Sequence, residues 1–154
     1  MRKLNIALAV FALLSALIPA AIADAGEIEK TFPFELDRWY DLEVEDGPVT
    51  LHRIRVKHDD RKIRKSNIFR GGDTPYADTV VIELDYTNES DNDWEAKVLV
   101  HWRDSKKRPI DGYDDEEGLS EDERHETATM TIATLKYGLE VARDLYVNIE
   151  FYRD

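Results

Sequence analysis

The chain of 154 residues contains no cysteine. That excludes disulfide staples, thiolate metal sites and lipid attachment to an amino-terminal cysteine, and leaves stability to packing alone. Basic residues are also outnumbered, with 21 lysines and arginines against 33 aspartates and glutamates and a formal net charge of −12. Nucleic acid and anionic membrane surfaces reward a basic face, so neither is expected as a general partner. No stretch reads as a helix long enough to carry a fold, and no internal repeat or linker is evident. G-x-S-x-G, P-loop, dinucleotide and HExxH patterns are all missing, which argues against an ordinary nucleophile-based hydrolase.

The one long apolar run, Ile6 to Pro19, is shorter than the roughly 20 residues that a membrane span needs. Arg2 and Lys3 precede it, and the small-x-small sites Ala21-Ile22-Ala23 and Ala23-Asp24-Ala25 follow. Residues 1–25 therefore read as a cleaved secretory signal peptide, and 26–154 as a single domain. The expected product is periplasmic or secreted, with no membrane span after signal removal. Losing Arg2 and Lys3 leaves it near −14.

Alternation is what this chain has in place of helical stripes. Val80, Ile82, Leu84 and Tyr86 share one face and Val81, Glu83, Asp85 and Thr87 the other. Trp94, Ala96, Val98, Val100 and Trp102 repeat the pattern, and the polar cluster Asn88–Asp93 between the runs predicts a hairpin. Leu42 and Val44 lead into a turn at Asp46-Gly47-Pro48, followed by alternating His52, Ile54 and Val56. Two further runs, Thr127–Ile132 and Leu145–Tyr152, alternate likewise, and Leu135–Arg143 has helical spacing for a turn or two. The fold class is all-β: an antiparallel immunoglobulin-like sandwich of about seven strands with at most one short helical crossing.

Tyr86-Thr87-Asn88-Glu89-Ser90, a strand ending His101-Trp102-Arg103-Asp104, and Arg108-Pro109-Ile110-Asp111-Gly112 resemble small bacterial exported immunoglobulin-like domains of the FxLYD type. The resemblance spans roughly residues 79–152. The name motif is only approached, at Phe34-Glu35-Leu36-Asp37, and Ser120-Glu121-Asp122-Glu123 stands where such domains often place Pro-Gly. It implies an accessory or binding role and no catalytic residues.

Charge is unevenly spread. His52–Arg70 holds eight basic residues against Asp59 and Asp60, whereas Asp111–Glu126 holds nine acidic residues against Arg124. Arg61, Lys62, Arg64 and Lys65 are candidates for docking an anionic partner, although such runs are commonly solvated faces. Asp111, Asp114, Asp115, Glu116 and Glu117 offer oxygen ligands for Ca²⁺, without the EF-hand spacing; the alternative is a flexible solubilising loop. The histidines at 52, 58, 101 and 125 are dispersed, so a zinc site would need long-range convergence. Alternation places His52 on the inward face and His101 on the outward one.

Glu83 and Asp85 stand roughly 7 Å apart on one strand face, a glycosidase-like spacing that is also the ordinary wet-face pattern. Trp39, Tyr40, Tyr146 and Tyr152 are candidates for an exposed aromatic platform, whereas Tyr86, Trp94 and Trp102 belong to the core. The expected function is that of an exported, non-enzymatic binding or accessory protein of the cell envelope. It acts through a protein partner, as a monomer or weak homo-oligomer, with no required cofactor. The alternatives are a calcium-dependent or carbohydrate-binding module and, behind it, an uncharacterised hydrolase.

Overall fold

Apolar alternation builds the interior strands of two antiparallel sheets. The computed structural model describes residues 27–59 and 76–153, so the signal-peptide segment and the basic residues Arg61, Lys62, Arg64 and Lys65 lie outside the described residues. The strands are β1 (Glu27–Pro33), β2 (Tyr40–Asp46), β3 (Val49–His58), β4 (Ala77–Asn88), β5 (Trp94–Arg103), β6 (Pro109–Leu119), β7 (Glu123–Leu135) and β8 (Asp144–Arg153). One six-residue helix, α1 (Lys136–Val141), joins β7 to β8 within the expected crossing. One sheet has the order β1-β8-β5-β6 and the other β2-β3-β4-β7.

The result is the expected β-sandwich, with eight strands. β4 pairs with β7 and β5 with β8, as strands B with E and C with F do in immunoglobulin sandwiches. β1 takes the edge beside β8 that those domains give to their last strand. The core lies between the layers. Leu51, Ile54, Ile82 and Leu84 from one sheet are fully buried with Val98, Val100, Trp102 and Val147 from the other.

The hairpin expected between the two strongest runs is not formed. Both runs are strands, but β4 lies between β3 and β7 while β5 lies between β8 and β6. Residues 89–93 instead carry the chain across the roughly 10 Å between layers. Asn88, fully buried, directs that crossing by donating from Nδ2 to Asn92 O and Leu119 O, each at 2.9 Å. The Gly47-Pro48 turn does form its hairpin, with Gly47 at φ 56° between paired Asp46 and Val49.

The acidic run is a strand, not a flexible loop. β6 is an edge strand paired only with β5, where Asp114, Asp115 and Glu116 stay in water and where charge opposes edge-to-edge association. Gly112 is required there: a Cβ would overlap the Val100 carbonyl oxygen and the His101 ring.

The turn from β5 to β6 is closed by Asp104. Its Oδ1 accepts the N–H groups of Lys106 at 2.8 Å and Arg108 at 3.0 Å, and its Oδ2 accepts Arg108 Nε at 2.8 Å. The Arg108 side chain, then its backbone N–H, hold this carboxyl down to about 2, against an ordinary value near 4. A lowered carboxylate pKa means that the turn's contribution is present above about pH 4 and lost as pH falls through about 2. The Lys106 and Arg108 amide NMR signals should therefore titrate with a midpoint about 2; a midpoint near 4 would count against this linkage.

Candidate functional site

On the outer face of the β2-β3-β4-β7 sheet, two bulges turn a regular surface into a cluster. The β3–β4 register shifts between Leu51 and Arg53, so His52 is the extra residue and joins Arg53 on the outer face rather than entering the core. This corrects the inward placement that strict alternation predicts for His52. The β4–β7 register shifts between Tyr86 and Asn88, and His125 in the bulged segment takes φ 52°. Both irregularities flank the same stretch of β4, Asp85 to Thr87.

Their side chains meet there. The His52 and His125 rings stack with centroids 4.2 Å apart. His52 Nε2 lies 2.8 Å from Thr87 Oγ1, which also accepts the His125 N–H at 3.2 Å. His125 Nδ1 lies 3.3 Å from Asp85 Oδ1, and Arg53 Nε donates to Asp85 Oδ2 at 2.8 Å. The Asp85 side chain is 6% exposed, that of His125 69%. Thr87 pairs with one imidazole and Asp85 with the other, so no single histidine bridges hydroxyl and carboxylate as a catalytic triad requires.

The neighbouring basic side chains of β3 are engaged by carboxylates of β4. Arg55 Nε donates to Glu83 at 2.6 Å, Lys57 Nζ sits 2.5 Å from the same carboxylate, and Arg53 and Arg55 both lie 4.4 Å over the Trp39 ring. Burial raises the Glu83 pKa, but the hydrogen bonds from Lys57 and Arg55 and their charges outweigh it, leaving the carboxyl below its usual value. Glu83 is thus held ionised, where the acid of a glycosidase pair needs a raised pKa. The basic charge of β3 is consumed by β4 and not by the acidic run.

A second feature lies at the other end of β4 and β7. Among the described residues, the exposed large apolar side chains are Tyr76, Leu135 and Tyr137, at 74%, 60% and 71%. All three line one open groove of about 350 Å³ together with Lys136 and Glu140. Lys136 N–H donates to Tyr76 O at 2.9 Å, which ties the start of α1 to the start of β4.

The proposed calcium ligands are not brought together. Strand alternation puts Asp111, Asp115 and Glu117 on one face of β6 and Asp114 and Glu116 on the other, spread over roughly 20 Å. Asp111 accepts from Thr134 Oγ1 at 2.6 Å, and Glu117 from the Tyr113 hydroxyl, whose pKa burial and this carboxylate raise. Among the described residues, the group of three histidine or acidic side chains whose donor atoms converge, all within 4.8 Å, is His52, Asp85 and His125.

The aromatic platform is not formed either. Trp39 lies over arginines of the β2-β3-β4-β7 sheet, Tyr146 under Arg103 on the opposite sheet, and Tyr40 is buried against Phe32. Sequence spacing carries no signal for the histidine cluster, since His125 and Asp85 are 40 residues apart and two bulges set their register. The site belongs to the outer sheet face of an antiparallel β-sandwich. Comparison with protein-family models, curated proteins and solved structures gives no match to this chain.

Proposed function

We propose that this protein is an exported, non-enzymatic binding protein of the cell envelope that docks a protein partner at the α1 end of its sandwich. The observation that carries this reading is the gathering of Tyr76, Leu135 and Tyr137 around one groove. Exposed apolar side chains are ordinary when scattered; a contiguous group rimmed by Lys136 and Glu140 is characteristic of an interaction surface. Tyr76 also follows closely in sequence on Arg61, Lys62, Arg64, Lys65 and Arg70. The partner that fits is an acidic protein segment carrying an apolar anchor, with its charge setting encounter and its anchor setting residence. Residues 1–25 and the resemblance to exported FxLYD-type domains support the envelope location.

Capture from an envelope extract of the native host tests this, with the wild type beside a Tyr76→Ser, Tyr137→Ser variant and a variant with Arg61, Lys62, Arg64 and Lys65 changed to glutamate. An acidic partner held by the wild type and weakened at least about tenfold by the still-folded serine variant is the expected result. No specific partner, or one held equally by all three proteins, would overturn it.

A further inference from the structure

We infer that His52, Asp85 and His125 form a binding site for a divalent transition-metal ion of the zinc and copper kind. The donors come from three adjacent strands, β3, β4 and β7, and all lie within 4.8 Å of one another. Each histidine reaches the cluster only through a bulge in its own strand, and β4 carries Asp85 between them. Two backbone irregularities on opposite flanks of one carboxylate deliver one imidazole each, which is the use to which bulges beside functional sites are put.

The donor set selects the ion. Two imidazoles and one carboxylate suit Zn²⁺, Cu²⁺ or Ni²⁺, whereas Ca²⁺ and Mg²⁺ prefer an all-oxygen shell. Asp85 is held in place from behind: Arg53 Nε occupies Oδ2 and leaves Oδ1 toward His125. Thr87 Oγ1 lies 2.8 Å from His52 Nε2 and accepts the His125 backbone N–H, so one hydroxyl ties both histidine residues to β4 beside Asp85. Donors around a tetrahedral ion with bonds near 2.0–2.1 Å stand about 3.3 Å apart. Closing the widest separation from 4.8 Å needs a shift of about 1.5 Å. The exposed His125 ring can supply it by side-chain rotation. Three protein ligands at an exposed face leave a coordination position for water or for a donor from another molecule. The groove at Tyr76 and Tyr137 begins some nine residues away along β4, roughly 30 Å, so the two sites are independent.

The test is calorimetric titration of the purified full chain with ZnCl₂ and, separately, CuCl₂, followed by the histidine ring NMR signals. One ion per chain is expected, with the His52 and His125 signals moving and those of His101 still. His125→Asn removes the imidazole while tolerating the left-handed backbone, and His52→Gln keeps a hydrogen-bonding group near Thr87. Each should weaken binding at least about 100-fold, since loss of an outer contact alone costs 10–100-fold. His101→Ala should leave it unchanged. Failure of the wild type to take up either ion at one equivalent, or uptake by both cluster variants equal to wild type, would overturn the assignment, as would an equal loss in His101→Ala.

Discussion

Trp102→Ala is expected to lower the unfolding free energy by about 4 kcal/mol, the range for removing a fully buried aromatic side chain. Trp102 has no exposed surface and sits in β5, an interior strand of its sheet, where it faces Phe34 with ring centroids 6.2 Å apart. Its indole Nε1 is buried with no hydrogen-bond acceptor among the described residues. The contribution of this side chain is therefore packing, without the hydrogen bond that a buried tryptophan usually adds. Trp102→Phe should recover more than half of the loss, because it restores ring volume and removes an unsatisfied N–H. Urea unfolding curves measure both variants. At this chain length 4 kcal/mol corresponds to a fall in Tm of roughly 8–16 °C. A loss under about 1.5 kcal/mol for the alanine variant would mean that the site collapses around the missing ring.

The contrast between legible and illegible strands follows from where they lie. β3, β4, β5, β7 and β8 bury one face against the opposite layer, and their apolar residues alternate visibly, as in Val147, Ile149 and Phe151 of β8. β1 and β6 are the two edges of one sheet; β1 is short and has Ile28 as its one buried residue, and β6 is rich in acids, so β1 escapes a hydrophobic pattern search and β6 looks like a loop. Pairing is harder to read than strand identity. Asn88–Asp93 has turn chemistry, but a turn residue does not say whether the next strand joins the same sheet or the facing one. The histidine cluster was illegible for a related reason: period two is broken at His52 and again near His125, and no local sequence pattern marks either bulge. The groove residues Tyr76, Leu135 and Tyr137 are individually ordinary, and only the α1 connection gathers them.

Asn88→Ala is the second large effect expected, about 3 kcal/mol, and it tests why β4 and β5 part company. The Asn88 side chain is buried and uses its full capacity: Nδ2 donates to Asn92 O and Leu119 O, and Oδ1 accepts from Ser90 N–H at 3.1 Å and Ser90 Oγ at 2.7 Å. Leu119 ends β6 in the facing sheet, so one side chain joins the exit of one layer to the end of the other. Tyr86 reinforces the joint by accepting the Ser120 N–H at 3.1 Å. Truncation removes hydrogen bonds of about 1 kcal/mol each and strands a buried Leu119 carbonyl, which costs a further 1–3 kcal/mol. Asn88→Asp separates shape from donation. It keeps the acceptor for Ser90 but sets a carboxylate oxygen against two carbonyl oxygens, so at pH 7 it should lose at least as much as alanine does. If the aspartate variant is as stable as wild type, the crossing is held by backbone geometry and core packing. If it fails with the alanine variant, donation to Leu119 and Asn92 is what commits the chain to the sandwich in place of the hairpin its alternation suggests.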